Sequence, residues 1–126
     1  MKLQQLAPLV VIAAVVMIFA FFMLQTPQVP ADYDAFAKCL TEKGAKMYGS
    51  ELCPHCDDQK EAFGDSWQYV TYVECRSPLG GQTEACMDAG IKAYPTWEFA
   101  DSSRKTGFLQ FKQLSDAIGC PLNSNQ

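Results

Sequence analysis

Apolar residues run from Leu6 to Leu24, LAPLVVIAAVVMIFAFFML, with no charge and no glycine and with Pro8 near the start. These nineteen residues, at about 1.5 Å each, reach roughly 28 Å, close to the bilayer hydrocarbon thickness of about 30 Å. The run predicts one transmembrane helix. A cleaved signal peptide is the rival, but its apolar core is shorter, about 7 to 15 residues, and ends at a small-x-small site. Val29-Pro30-Ala31 matches such a site poorly, which favours an uncleaved anchor over cleavage; a buried helix is the third reading. Lys2 and the amino terminus carry the positive charge ahead of the run, which predicts residues 1–5 as a cytoplasmic stub and all beyond Leu24 outside. Residues 25–31, QTPQVPA, then form a semi-rigid tether of about 20 Å if extended at about 3.1 Å per residue.

From Asp32 the pattern changes to short periodic segments punctuated by glycine and proline. Asp32 can cap a helix from Tyr33 to Lys43, with Phe36, Cys39 and Leu40 on one face and Gly44 as its stop. Ala45 to Gly49 reads as a strand. A helix then opens at Cys53-Pro54-His55-Cys56, with Pro54 at its first position, and runs to Phe63 before Gly64. Gln68 to Cys75, rich in aromatic and β-branched residues, reads as the strongest strand. A Ser-Pro-Leu-Gly-Gly loop leads to a short helix from Thr83 to Ala89, ended by Gly90. Tyr94 to Phe99 and Lys105 to Phe108 read as a hairpin turning at Asp101-Ser102-Ser103, and Phe111 to Ile118 as a last helix before Gly119-Cys120. This order implies an α/β domain, residues 32–126, with a small central mixed sheet covered by helices on both faces.

The length of 126 residues leaves room for no second domain. From Asp32 onward nine Lys or Arg stand against fourteen Asp or Glu, a balance of minus five, which argues against nucleic acid as a partner because phosphate binding needs a cationic surface. The six cysteines, all beyond residue 38, suit a compartment in which disulfides persist, and a domain of this size gains from covalent supplements to a modest core.

The pair Cys53 and Cys56 carries the chemistry. Disulfide exchange needs one accessible thiolate and a second thiol near enough to resolve the mixed disulfide. At a helix start, unpaired N–H groups and the positive end of the dipole favour the Cys53 anion, while Cys56 lies one turn in. Cys53 is the expected attacking thiol and Cys56 the resolving one. His55, the single histidine, would stabilise the thiolate further and bias the pair towards oxidising others; a solvated loop histidine is the plainer reading. Covalent haem needs a histidine where Asp57 stands, and zinc needs a second close ligand pair, whereas Cys75 and Cys86 have ten residues between them. Neither a metal nor a cofactor is expected. Pro95, following Tyr94, reads as an edge-strand or turn proline.

Alternating β and α elements around CxxC follow the thioredoxin pattern. With Cys53-Pro54-His55-Cys56 followed by DDQKEAF, then Tyr72-Val73-Glu74-Cys75, a glycine-rich loop, Cys86, Ala89-Gly90-Ile91 and Tyr94-Pro95-Thr96-Trp97, the chain resembles the thioredoxin-like domain fused to, or partnered with, bacterial homologues of vitamin K epoxide reductase. The resemblance covers about residues 33–122. It implies a thioredoxin-like fold, a redox pair at Cys53 and Cys56, a cis-proline at Pro95 that faces the pair and receives substrate backbone, and a structural bridge between Cys75 and Cys86. Cys39 and Cys120, in the first and last helices, would close nearly the whole domain if joined. Electron relay through these pairs and free buried thiols are the alternatives. In that family a membrane enzyme passes electrons from the domain to a quinone, so quinone is expected in the partner alone. Here that enzyme would be a separate chain, Leu52 stands where an aromatic residue commonly precedes the first cysteine, and a single anchor replaces fusion. The larger Dsb-type oxidases share the tetrad but insert a helical subdomain, for which the nineteen residues between Cys75 and Pro95 leave no room.

The expected function is therefore a membrane-anchored, periplasmic thiol–disulfide oxidoreductase that oxidises exported protein thiols and is reoxidised by a vitamin K epoxide reductase-like partner. An extracytoplasmic reductant, for example for apocytochrome thiols, and a non-catalytic binding module of the same fold are the rivals.

Overall fold

A computed structural model describes residues 3–24 and 32–123. The chain divides into two compact units, Met1–Pro30 and Ala31–Gln126. The first holds helix α1, Leu3–Leu24, with Pro8 inside it. It begins three residues before the apolar run, and its segment Ala7–Leu24 is long and apolar enough to cross a membrane. The tether expected at 25–31, like Lys2, lies outside the described residues.

The second unit contains α2 (Asp34–Glu42), β1 (Lys46–Gly49), α3 (Pro54–Phe63), a 3-10 helix (Gly64–Tyr69), β2 (Tyr72–Glu74), α4 (Glu84–Asp88), β3 (Thr96–Glu98), β4 (Arg104–Thr106) and α5 (Phe111–Ile118). The four strands form one mixed sheet in the order β2-β1-β3-β4, with β1 parallel to β2 and the other pairs antiparallel. Because strand side chains alternate between faces, adjacent residues of β1 enter different cores. Met47 packs with Phe36, Leu40, Phe63, Trp97 and Leu114, so α2, α3 and α5 cover that face. Tyr48 packs with Cys75, Cys86 and Ile91 under α4. The mixed α/β organisation and the order of elements are those expected.

Local chemistry explains the boundaries. Asp32 accepts the N–H of Asp34 at 2.9 Å, but the N-cap position is held by Tyr33, which makes no side-chain capping bond, and the helix begins one residue later than expected. Gly44 closes α2 with φ +82°, a value that disfavours a side chain, and a Cβ on it would lie 3.2 Å from that of Ala100.

The strand expected over Gln68–Cys75 is shorter. Gly64–Tyr69 winds as a 3-10 helix directly after α3, and β2 holds only Tyr72–Glu74. Ser66 accepts the N–H of Tyr33 at 3.1 Å and donates to Asp34 at 2.7 Å, which ties this turn to the start of α2. Thr41 then donates to the carbonyl of Tyr69 at 2.7 Å and accepts the N–H of Thr71 at 3.1 Å, taking backbone groups that a longer ladder would use. β4 likewise ends at Thr106, before the expected Phe108: the N–H of Gly107 still bonds the in-register carbonyl of Pro95 at 2.8 Å, but Pro95 has no N–H with which to continue the ladder.

Two disulfides cross-link the second unit. Cys39 of α2 is bonded to Cys120 after α5 (S–S 2.16 Å), and Cys75 to Cys86 of α4 (1.99 Å). The first joins residues 81 apart in sequence. On the loop-entropy account that closure contributes about 4 to 5 kcal/mol, and the shorter one about 2.5 to 3 kcal/mol. Replacing Cys39 and Cys120 together by Ala should lower the unfolding free energy of the full chain in detergent by about 4 kcal/mol. Denaturant titration against the unmodified chain reads this directly, and coincident midpoints would refute it.

Candidate active site

β1 ends at Gly49, and the next four residues turn the chain into α3. The N–H of Cys53 bonds to the carbonyl of Ser50 at 3.1 Å, and that of Leu52 to the Ser50 hydroxyl at 3.2 Å. Cys53 is the N-cap, in extended conformation, and Pro54 takes the first helical position, where its missing N–H costs nothing. The Cys53 carbonyl accepts from Cys56 and Asp57, both at 3.1 Å, and the Cys56 N–H also approaches Cys53 Sγ at 3.4 Å. The first sulfur thus meets a backbone donor at a helix N-terminus.

Access separates the two thiols. Both are free, with Cys53 half-buried and Cys56 0% exposed. Burial pushes the Cys56 thiol up to about 12, and its hydrogen bond with Cys53 adds to this, while the Ser50 backbone and the charge of Lys60 oppose it. At neutral pH Cys56 therefore keeps its proton.

Residues that sequence reasoning did not single out as site residues line the inner side of the pair. Gly49 leaves the space in which Cys56 sits: a Cβ there would lie 3.0 Å from Cys56 Sγ, 2.8 Å from Tyr72 Cε2 and 3.2 Å from the Tyr72 hydroxyl. Tyr72 donates to Glu74 at 2.8 Å, and Glu74 also accepts the N–H groups of Arg76 at 2.7 Å and Glu51 at 3.3 Å. Burial pushes the Glu74 carboxyl up, but these donors and Lys60 outweigh it and hold the group below the usual carboxylate range. Burial, with the bond to Glu74, pushes the Tyr72 hydroxyl well up, so it remains a donor. Lys60 Nζ lies 4.5 Å from the centroid of the Tyr72 ring. The one signal available in sequence was the period-two spacing of Tyr72 and Glu74, which puts both on one face of β2.

The other expected residues are placed as follows. His55 is exposed, its Nδ1 3.4 Å from Asp58. The Tyr94–Pro95 bond is cis, and Pro95 is fully buried. Since Thr96 pairs with Tyr48 in an antiparallel ladder, Pro95 stands at the end of β1 from which the chain leaves for Cys53. Leu52, just before the pair, is 68% exposed and offers an apolar surface beside it. The other four cysteines are bonded in two disulfides, and one of them, Cys75, donates its N–H to the carbonyl of Gly49 at 2.8 Å. Among the described residues no group of three or more His, Cys, Asp or Glu is arranged to hold a metal ion.

No protein-family model matches the chain. Over 95 residues it is 39% identical to the thiol-disulfide oxidoreductase LTO1 of Arabidopsis thaliana. That relative is named for dithiol–disulfide exchange. The alignment takes in 71% of this chain and 25% of LTO1, so the chain spans about a quarter of that protein's length. In this chain Cys53 and Cys56 are the free cysteine pair.

Two outcomes test this geometry. Brief alkylation of the reduced protein with iodoacetamide at pH 7 should modify Cys53 and leave Cys56 unreacted, as peptide mass spectrometry reads; equal labelling would contradict the burial of Cys56. Gly49→Ala should cost about 1 to 3 kcal/mol, because its methyl group displaces Tyr72 or Cys56, and an unchanged denaturation midpoint would argue against the close approach.

Proposed function

We propose that this protein is a membrane-anchored, extracytoplasmic thiol–disulfide oxidoreductase with a thioredoxin-like domain. It donates the Cys53–Cys56 disulfide to exported proteins and is reoxidised by a vitamin K epoxide reductase-like membrane enzyme. The observation that carries the reading is the asymmetry of the pair, one thiol accessible at a helix N-terminus and its partner buried and protonated one turn on. A pair built this way forms a mixed disulfide at one sulfur and resolves it with the other.

Supporting observations come from elsewhere in the chain. The mixed sheet and the cis-proline next to the end of β1 fit a thioredoxin-like domain, with the loop that leads into the buried Pro95 as the place where substrate backbone is received. The apolar α1 fits a single-pass anchor, and the two bonded disulfides fit the oxidising side of a membrane. His55, two residues after Cys53 in the tetrad, is the residue on which the oxidant direction rests.

In native cells a Cys56→Ser variant should accumulate mixed disulfides with exported proteins. They should be visible as adducts on non-reducing gels and should vanish when Cys53→Ala is added. An absence of adducts with Cys56→Ser would overturn the proposal. Acid-quenched alkylation fixes the direction of flow: an oxidant keeps the pair mainly as a disulfide, and a chain found mainly as the dithiol would be a reductant.

A further inference from the structure

The buried thiol presents a difficulty that the accessible one does not. Resolution requires Cys56 to lose its proton to water and attack Cys53 Sγ in the mixed disulfide. The Cys53–Cys56 bond forms as the Cys53–substrate bond breaks, and the substrate sulfur leaves as a thiolate. The pair is oxidised as the substrate is reduced, so no outside electron is needed. In the opposite direction Cys56 is the leaving thiolate. Either way an anion appears at a sulfur with 0% exposure, where an uncompensated charge is costly.

Lys60 is placed to offset it. It lies four residues after Cys56, so both side chains project from the same face of α3. Its ammonium sits over the Tyr72 ring, 4.5 Å from the centroid, and that ring borders the space beneath Gly49 that also holds the Cys56 sulfur. The side chain is 27% exposed, so its charge is screened less than that of a free surface lysine. The ionisable groups around it are Cys53 at the start of α3, Asp57 on its own helix at 3.9 Å, and Tyr72 and Glu74 of β2. The lysine charge also reaches both carboxylates, but Asp57 is 57% exposed and Glu74 already takes three donors, so neither holds that charge away from the sulfur.

We infer that Lys60 is a positioning residue for the resolving step: its ammonium, held against the Tyr72 face, supplies the positive charge that stabilises the Cys56 thiolate as it forms or departs. The inference rests on the exchange reading above. It assigns different tasks to two parts of α3, the N-terminus serving Cys53 and the second turn serving Cys56.

The test uses the full chain in detergent, reduced and mixed with a bis-nitrobenzoate disulfide whose released thiolate absorbs visible light. Attack by Cys53 releases one thiolate, and attack by Cys56 on the resulting mixed disulfide releases the second. In Lys60→Gln the second phase should slow by about three- to tenfold at neutral pH, with its pH–rate profile moved upward by roughly half to one unit. The first phase should change little, and Lys60→Arg, which keeps the charge, should restore the second. A second phase in Lys60→Gln that superimposes on the unmodified chain would overturn the inference, as would equal slowing in Lys60→Arg. An unmodified chain that releases no thiolate would instead overturn the exchange reading, and this inference with it.

Discussion

One buried amide holds the reactive helix to the rest of the domain. Gln59 of α3 has no exposed surface, and both ends of its side chain are used. Its oxygen accepts the N–H of Leu109 at 2.8 Å and the indole N–H of Trp97 at 3.3 Å, while its nitrogen donates to the Leu109 carbonyl at 3.1 Å. Each such bond contributes only about 1 kcal/mol net, but losing one partner leaves buried groups unpaired at about 1 to 3 kcal/mol each. The amide therefore acts mainly by excluding other placements of α3 against β3 and the segment that leads to α5. Phe63, one turn later on the same face, packs on Phe36, Trp67, Trp97 and Phe111. With the helix fixed in this way, Cys56 is carried into the space at Gly49 and Cys53 is left at the rim.

That placement turns two chemically identical side chains into different reagents. The N-cap position gives Cys53 a backbone donor and partial access, whereas one turn of helix gives Cys56 burial and a retained proton. Neither property belongs to the cysteine itself. Both come from where α3 begins, which Pro54 and the turn on Ser50 determine, and from how closely the helix approaches β1, which Gly49 permits. The Tyr72–Glu74 pair and Lys60 then set the field on the inner side.

The parts of this arrangement that were legible in the sequence are those governed by neighbours along the chain. Pro54 at the start of α3, Gly44 and Gly119 after their helices, and the two-residue spacing of Cys53 and Cys56 act within a few residues, so the reading of α3 and α5 matched the structure closely. The strand read over Gln68–Cys75 did not, because Ser66 and Tyr69 are claimed by Asp34 and Thr41, residues 32 and 28 positions away. β-Branched and aromatic content reports suitability for a sheet; it does not report which distant side chain takes the backbone bonds. The inner side of the site was hidden for the same reason. Gly49, Lys60, Tyr72 and Glu74 converge on Cys56 only once β1 and β2 pair in parallel, with Gly49 opposite Glu74 and Met47 opposite Tyr72.

Burial also protects most of the bridged sulfurs. Exchange proceeds by attack of a thiolate on a sulfur it can reach, so a buried disulfide is protected whatever its intrinsic potential. Cys75, Cys86 and Cys120 have no exposed surface, and Cys39 is covered in part by its packing against the main core. A small sheet with three-residue strands has little stability to spare, and the bridges supply constraint that the core alone would have to provide. Cys39 is half-buried like Cys53, so what sets Cys53 apart from it is position: Cys53 stands at the start of α3, whereas Cys39 lies in the interior of α2 and is bonded to a buried sulfur.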